Sequence, residues 1–232
     1  PVGSTFESKT FTWTPNYEQA GEYEVTFKVS DGKYEDEAVV KITVLDFKST
    51  NFCGIVSENT ILTKENSPYI VKCHILVEEN VKLKIEPGVE IRFDGPYYVK
   101  VEGEFVSEGT EEEMITFTSN KENPQPGDWD RIKFVEGSKG WDGSSGSIIK
   151  HSIIEYSGFQ LGGYKETSSI SIIGSSPLIE GNVFRNYQGN GIYTESSPTI
   201  KDNSFSDFAG IGIYVNGNLA SNLIEKNEFS EF

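Results

Sequence analysis

The chain has 232 residues, enough for one large domain or two modest ones. Its 36 acidic and 20 basic side chains give a formal net charge of −16, which argues against nucleic acid and anionic membrane surfaces as partners because like charges repel. No run of about 18 apolar residues occurs, so neither a transmembrane helix nor membrane insertion is predicted.

Residues 1–46 are predicted to form β-strands. Apolar and polar residues alternate over residues 23–29, which is typical of a half-buried strand, and a second strand is predicted over residues 38–45. Tyr23 follows Gly21 with the spacing of the tyrosine corner in immunoglobulin-like sandwiches.

The stretch PVGSTFESKTFTWTPNYEQAGEYEVTFKVSDG, continued by VKITVLD, resembles the immunoglobulin-like domains of bacterial and archaeal surface proteins. The resemblance covers only the later part of such a domain, so it implies a partial β-sandwich over residues 1–46. Modules of this kind act mostly as spacers or adhesion units. We therefore expect the chain to be a fragment of a larger multidomain protein.

Residues 47–69 are polar and rich in Asn and Ser, and they are predicted to be a linker and the N-terminal cap of the next domain. From residue 70 onwards, short apolar segments such as ILV, LKI, IRF and VKV alternate with turn elements. We interpret residues 70–232 as a parallel β-helix, truncated at its C-terminus, in which each strand pairs with its counterpart in the neighbouring coil. The LxxLxL pattern of a leucine-rich repeat is absent.

A repeat near the C-terminus favours this interpretation. SSPLIEGNVFRNYQGNGIYTE is followed by SSPTIKDNSFSDFAGIGIYVN, so that equivalent residues are 21 apart (200 − 179). Ile179 is predicted to stack on Ile200, and Phe184 on Phe205.

An asparagine recurs at one turn of the repeat, at Asn182 and Asn203 and then at Asn227. Ser152 takes this position in an earlier coil. Asparagine tolerates the left-handed backbone of a turn, and its amide can bond the coils above and below. We therefore predict a structural asparagine ladder.

Cys53 and Cys73 are 20 residues apart (73 − 53), which is close to one repeat. Stacked coils would bring two such residues to strand spacing, so the sequence leaves two alternatives open, two buried thiols or a disulfide. The chain lacks the paired cysteine or histidine motifs of a metal site.

The segments YIVKCHILVEENVKLKIEPGVEIRFDG, VEGEFVSEGTEEEMITFTS, PGDWDRIKF and SIIKHSIIEYSG resemble, in this order, a family of secreted right-handed parallel β-helix proteins related to pectate lyases. The family pattern is roughly TIEPGV, GTLIAEGT, PGDWGGI and then repeated SSPxIxxNxF. The resemblance implies an all-β, extracellular, often multidomain protein, but no single activity. The chain departs from the pattern at residues 127–131, where GDWDR replaces GDWGG.

Lyases of this fold use acidic residues that hold Ca²⁺, with an Arg or Lys base, and hydrolases use paired carboxylates. The catalytic candidates are Asp128, Asp130, Arg131 and His151, near Lys150 and Glu155. A structural loop with a surface ion pair is the favoured alternative. Glu180 and Lys201 occupy equivalent positions of adjacent repeats. Acidic side chains at this position therefore do not stack into a column of carboxylates.

The aromatic residues of the Gly- and Ser-rich insertions are candidates for stacking on sugar rings: Trp141, Tyr156, Tyr164 and Trp129. Packing is the favoured role for Trp129 because it belongs to the family pattern. Tyr193 and Tyr214 are predicted to stack on the outer surface. The acidic run Glu111-Glu112-Glu113 is predicted to be a solvated turn, with weak Ca²⁺ binding as the alternative; no other cofactor is expected.

Together these observations favour an extracellular or cell-surface structural and adhesion module, with a polysaccharide or cell-surface glycan as its partner. A polysaccharide lyase or glycoside hydrolase, with its site on the outer face of the β-helix or beyond residue 232, is the alternative.

Overall fold

The computed structural model describes residues 1–15, 19–44, 49–159, 167–217 and 223–230. The chain divides into two compact units, Pro1–Lys48 and Ser49–Phe232. None of the described residues forms a helix that is long and apolar enough to cross a membrane.

The described chain is almost entirely β-structure. Its strands are β1 (Thr5–Glu7), β2 (Thr10–Thr12), β3 (Gly21–Ser30), β4 (Glu35–Val44), β5 (Thr50–Val56), β6 (Thr60–Leu62), β7 (Tyr69–Val77), β8 (Lys82–Ile85), β9 (Glu90–Phe93), β10 (Val99–Val101), β11 (Glu104–Glu108), β12 (Ile115–Ser119), β13 (Ile132–Phe134), β14 (Ile148–Lys150), β15 (Ser152–Glu155), β16 (Ser168–Ile172), β17 (Leu178–Glu180), β18 (Val183–Tyr187), β19 (Asn190–Thr194), β20 (Thr199–Lys201), β21 (Ser204–Phe208), β22 (Ile213–Val215), β23 (Leu223–Glu225) and β24 (Glu228–Ser230). A short 3-10 helix spans Lys64–Asn66.

The N-terminal unit consists of two antiparallel pairs, β1 with β2 and β3 with β4. The rings of Phe6 and Phe11 each lie 5.9 Å from that of Phe27, and the ring of Trp13 lies 4.7 Å from that of Tyr23. These aromatic contacts pack β1 and β2 against one face of β3, where alternate residues are apolar as the sequence predicts.

The second unit is a solenoid with three faces of parallel strands. Face A contains the second half of β7 followed by β10, β13, β16, β19 and β22. Face B contains the first half of β7 followed by β9, β12, β15, β18, β21 and β24. Face C contains β6, β8, β11, β14, β17, β20 and β23. Each coil supplies one strand to each face, which confirms the predicted parallel β-helix.

The range 47–69, predicted to be a linker and cap, contains a coil of its own. β5 pairs with both halves of β7, and β6 pairs with β8. Val56 and Leu62 are buried in the core. The polar residues of this range lie on the outer side of the coil. They outnumber the buried apolar residues between them, so the strand pattern is hard to recognise in the sequence.

The interior is built from stacked side chains of the same type. Ile179 pairs in register with Ile200, and Phe184 with Phe205, as the repeat predicts. The rings of Phe184 and Phe205 stack at 4.7 Å, and Phe229 extends the stack at 5.1 Å. Because inward residues meet the same position of the next coil, the core grows one layer per coil.

The predicted asparagines form a hydrogen-bonded ladder. The side-chain amide nitrogen of Asn182 donates to Oδ1 of Asn203 at 2.9 Å, and that of Asn203 donates to Oδ1 of Asn227 at 2.9 Å. Oδ1 of Asn182 in turn accepts the backbone N–H of Ser152. The ladder joins four successive coils through buried polar groups.

Of the two predicted reasons for asparagine at this turn, the hydrogen-bonding amide is confirmed and the left-handed backbone is wrong. The left-handed residue is the one before each ladder position: His151, Gly181, Asp202 and Lys226, with φ between 45° and 64°. Asparagine is therefore used for its amide group, which satisfies the N–H and C=O groups that the sharp corner leaves unpaired.

Cys53 and Cys73 are joined by a disulfide, with their Cα atoms 5.2 Å apart. The bond lies where the register between β5 and β7 shifts, so that Cys53 faces a short bulge in β7. The disulfide therefore ties the first coil to the second at a point where the ladder of backbone hydrogen bonds is irregular.

The hydroxyl of Tyr187 is buried in the core and has no hydrogen-bond partner in the described structure. Its ring stacks on Phe208 at 5.3 Å. Burial raises the pKa of Tyr187 well above its usual value, so the phenol stays protonated. A buried hydroxyl without a partner loses its hydrogen bonds to water on folding and gains none in return.

We expect Tyr187→Phe to raise the free energy of unfolding by about 1–2 kcal/mol, because it removes an unpaired polar group and keeps the ring. Chemical denaturation followed by circular dichroism measures the change. Tyr193→Phe is the matched control, because the Tyr193 hydroxyl contacts Glu195 and Asn216 and its removal is expected to destabilise. A loss of stability in Tyr187→Phe would show that its hydroxyl has a partner, such as a buried water.

Candidate functional site

The longest insertions lie at two corners of the solenoid. Residues 120–131 lead from face B to face A, and residues 135–147 lead from face A to face C. From β14 onwards the corner between faces C and B is only one or two residues long, and the asparagine ladder occupies it. Binding or chemistry is therefore expected around face A, which both insertions flank.

Asp128, the first catalytic candidate, holds the loop together. It accepts hydrogen bonds from Oγ of Ser119 at 2.7 Å, from the ammonium of Lys121 at 2.6 Å and from the backbone N–H of Gln125 at 2.9 Å. Burial alone would raise the pKa of Asp128, but the bonds from Lys121, Gln125 and Ser119 outweigh it and lower the pKa below its usual value. A carboxylate held ionised in this way is a poor general acid.

The other catalytic candidates make contacts of their own. Asp130 pairs with the guanidinium of Arg131 at 2.6 Å. The backbone N–H of Asp128 bonds the carbonyl of Tyr156, at the opposite end of β15 from His151, so the two sites are roughly 15 Å apart along the strand. His151 is therefore separated from Asp128 by the length of β15, so the four candidates do not form one cluster.

His151 lies instead in a shallow cleft of about 510 Å³ at the short corner between faces C and B. The cleft is lined by Glu111, Met114, His151, Glu180, Gly181 and Asp202. Within the described chain, no group of three or more His, Cys, Asp and Glu side chains is arranged to hold a metal ion.

Trp129 is fully buried, which corrects its place among the ligand candidates. Its ring stacks on Phe93 at 4.1 Å with an interplanar angle of 4°, and its Nε1 donates to the carbonyl of Glu155 at 2.7 Å. A ligand cannot reach either face of this ring. Trp129 instead closes the core beneath the insertion, in agreement with the favoured packing role.

Of the remaining aromatic candidates, the two that the structure describes lie at different corners of the solenoid. Tyr156 is half-buried, adopts a left-handed conformation with φ of 59° and packs against the core at the corner between faces B and A. Trp141 is half-buried in the insertion between faces A and C. Its backbone N–H donates to the carbonyl of Ser176. Tyr164 lies outside the described residues.

Face A carries a group of side chains of which the sequence patterns single out only Arg131. Lys100 and Lys133 occupy directly paired positions of β10 and β13, about 4.8 Å apart along the solenoid axis. Their neighbours Val99, Val101 and Ile132 are buried, so the two lysines point outward.

Aromatic and cationic residues border these lysines. His74, Tyr98 and Arg131 immediately precede the paired positions Ile75, Val99 and Ile132, so they are neighbours on adjacent coils. The rings of His74 and Tyr98 stack at 3.8 Å. We call the five residues His74, Tyr98, Lys100, Arg131 and Lys133 the face A strip.

The charges of the strip are not equally neutralised. Lys100 pairs with Glu102 at 2.5 Å, and Arg131 pairs with Asp130. Lys133 makes no ion pair with any residue that the structure describes. In a chain with a net charge of −16, Lys133 is thus a half-buried ammonium on the outer side of face A whose charge no ion pair among the described residues neutralises.

Face C shows the opposite arrangement. Lys150, Glu180 and Lys201 are paired in register, and the two lysines bond Glu180 at 3.1 and 3.0 Å. Burial alone would raise the pKa of Glu180, but the bonds from Lys201 and Lys150 outweigh it and lower the pKa. The charges of this column neutralise one another, as predicted for a solvated surface.

Two family models match the chain in tandem. The model described as a pectate-lyase like beta helix domain matches residues 54–139, and the model described as a right handed beta helix region matches residues 140–232.

Residues 54–232 are a right-handed parallel β-helix of the pectate-lyase-like kind.

The matches agree with the three-faced solenoid and add its handedness. Comparison with curated proteins and with solved structures found no significant match. β-Helices of this kind support several activities, so the function of this one has to be argued from its own surface.

Proposed function

We propose that the chain belongs to an extracellular adhesion module and that the face A strip of its β-helix binds a carboxylate-bearing polysaccharide. The observation that carries the proposal is the pair Lys100 and Lys133 on adjacent coils, next to the stacked rings of His74 and Tyr98. Sugar rings stack on aromatic faces, and an ammonium forms charge-assisted hydrogen bonds with a carboxylate.

The solenoid suits an extended ligand. Successive coils repeat every 4.8 Å or so along the axis, and a rigid column of strands holds the side chains of the strip in fixed positions. A polymer that lies along face A would therefore meet the strip without ordering a flexible loop, which lowers the entropic cost of binding.

An extracellular location is supported by the disulfide between Cys53 and Cys73, since disulfides persist mainly in oxidising compartments. We also propose that the N-terminal unit is immunoglobulin-like and acts as a spacer. This is supported by the Tyr23 hydroxyl, which donates to the carbonyl of Gln19 at 3.0 Å, the contact made in a tyrosine corner.

We expect Lys133→Glu to weaken binding of a carboxylated polysaccharide by about tenfold or more, because a charge-assisted bond is replaced by repulsion. Glycan-array binding or calorimetry measures the affinity. The polysaccharide with its carboxyl groups reduced is expected to bind weakly to the wild type, and added salt is expected to weaken the acidic complex.

Lys84→Glu is the matched control, because Lys84 is an exposed lysine on face C and the substitution changes the net charge equally. Equal losses in the two variants would assign the effect to net charge and refute a site on face A. New reducing or unsaturated chain ends during incubation would instead favour the lyase or hydrolase alternative.

A further inference from the structure

The β-helix contains two Asn-Gly dipeptides, Asn190-Gly191 and Asn216-Gly217, in very different surroundings. Asparagine before glycine is prone to spontaneous deamidation, because the small residue lets its peptide nitrogen approach the asparagine side chain. The reaction requires that this nitrogen is free of hydrogen bonds and that the backbone has room to close a five-membered ring.

Asn190-Gly191 is locked against this reaction. Asn190 is 8% exposed. The backbone and side-chain nitrogens of both asparagines donate hydrogen bonds, so the contrast between the two sites lies at the glycine that follows. The N–H of Gly191 donates to the carbonyl of Ile211 at 2.8 Å. A Cβ on Gly191 would lie 2.6 Å from the ring of Phe205, which shows how closely this backbone is packed.

Asn216-Gly217 meets both requirements. The two residues are exposed and follow directly after β22 ends at Val215. Gly217 has φ of +115°, and among the described residues other than its chain neighbours no atom lies within 4 Å of a Cβ built on it. The Gly217 N–H has no hydrogen-bond acceptor in the part of the chain that the structure describes.

We propose that Asn216 is a site of spontaneous deamidation that loosens the outer surface of the C-terminal coils. The peptide nitrogen of Gly217 attacks Cγ of Asn216, a new C–N bond forms, and the side-chain amide leaves as ammonia. Water then opens the cyclic imide at either carbonyl, which yields aspartate or isoaspartate. No oxidant or other co-reactant is consumed.

The side chain of Asn216 connects neighbouring coils, so its conversion has a structural consequence. Its amide nitrogen donates to the hydroxyl of Tyr193 and to Oε1 of Glu195, both at 2.9 Å. The bonds from Tyr193 and Asn216 lower the pKa of Glu195, which is therefore ionised. A carboxylate at position 216 has no proton to donate and repels Glu195, so both bonds are lost.

The test is incubation of the purified chain at mildly alkaline pH, followed by peptide mapping with mass spectrometry that separates aspartate from isoaspartate. We expect Asn216 to convert to both products before any change is detected at Asn190. A parallel sample in denaturant is expected to convert at both sites, since unfolding releases Asn190. Equal rates at the two sites in the folded protein, or an unchanged Asn216, would overturn the proposal.

Gly217→Ala is expected to slow the conversion of Asn216. If that variant does not fold, the comparison of Asn216 with Asn190 in the wild-type protein still tests the proposal. Asn216→Asp reproduces one product, and we expect its melting temperature to fall by about 2–4 °C because two hydrogen bonds are replaced by repulsion. An unchanged melting temperature in Asn216→Asp would refute the proposed loosening of the C-terminal coils.

Discussion

Asn203→Ala is expected to lower the free energy of unfolding by about 3–5 kcal/mol, which corresponds to a fall of about 10 °C in melting temperature. Asn203 is 1% exposed. Its amide nitrogen donates to the carbonyl of Ile179 at 3.0 Å and to Asn227 at 2.9 Å, and its Oδ1 accepts two bonds from Asn182.

Alanine would leave the backbone N–H of Asn182 and the carbonyl of Ile179 buried without partners. The cost of such orphaned groups exceeds the net value of the bonds themselves, because water cannot enter to replace the missing amide. Thermal and denaturant unfolding, followed by circular dichroism, measure the loss.

Two further variants give this prediction its controls. Asn203→Ser is expected to lose less, because serine occupies the equivalent position at Ser152. Asn120→Ala removes a half-buried asparagine whose amide makes a solvent-exposed hydrogen bond of 3.3 Å to Asp94, and its effect is expected to stay within about 0.5 kcal/mol. If Asn203→Ala melted like Asn120→Ala, the ladder would not be a source of stability.

The second large effect is expected for Trp129→Ala, which should destabilise the β-helix by about 3–5 kcal/mol. The substitution removes a fully buried indole, its stack on Phe93 and its hydrogen bond to the carbonyl of Glu155. The surrounding coils are fixed by their own strand pairing, so they cannot collapse into the space that the ring leaves. Denaturant unfolding measures the loss.

Trp129→Phe keeps an aromatic ring and loses the hydrogen bond, so we expect a smaller cost of about 1–2 kcal/mol. Trp141→Ala is the comparison for an indole that is only half-buried. Loss of glycan binding in Trp129→Ala with unchanged stability would show that Trp129 contacts the ligand, in disagreement with its burial.

The fold of the β-helix could be predicted from the sequence because a solenoid repeats its contacts. Phe184 and Phe205 stack because equivalent residues of adjacent coils meet, and the spacing of 21 residues expresses this directly. The same reasoning identified the ladder positions Asn182 and Asn203, although it assigned the left-handed conformation to the wrong residue of the turn.

The candidate site could not be predicted, because the coils that form it are of unequal length. Lys100 and Lys133 are 33 residues apart (133 − 100), since the insertion at residues 120–131 lengthens that coil. No fixed period aligns them, and each lysine by itself resembles any outward residue of a strand. Only the observed register of β10 and β13 places the two ammonium groups side by side.

The sequence by itself thus determined the strand pattern, the stacking of the regular coils and the positions of the ladder, because these depend on contacts one repeat apart. Tertiary structure decided the rest. It placed Trp129 on Phe93, separated His151 from Asp128 by the length of β15, and left Lys133 without an ion pair among the described residues. These outcomes depend on how irregular insertions fold back over the solenoid, and such contacts leave no periodic trace in the sequence.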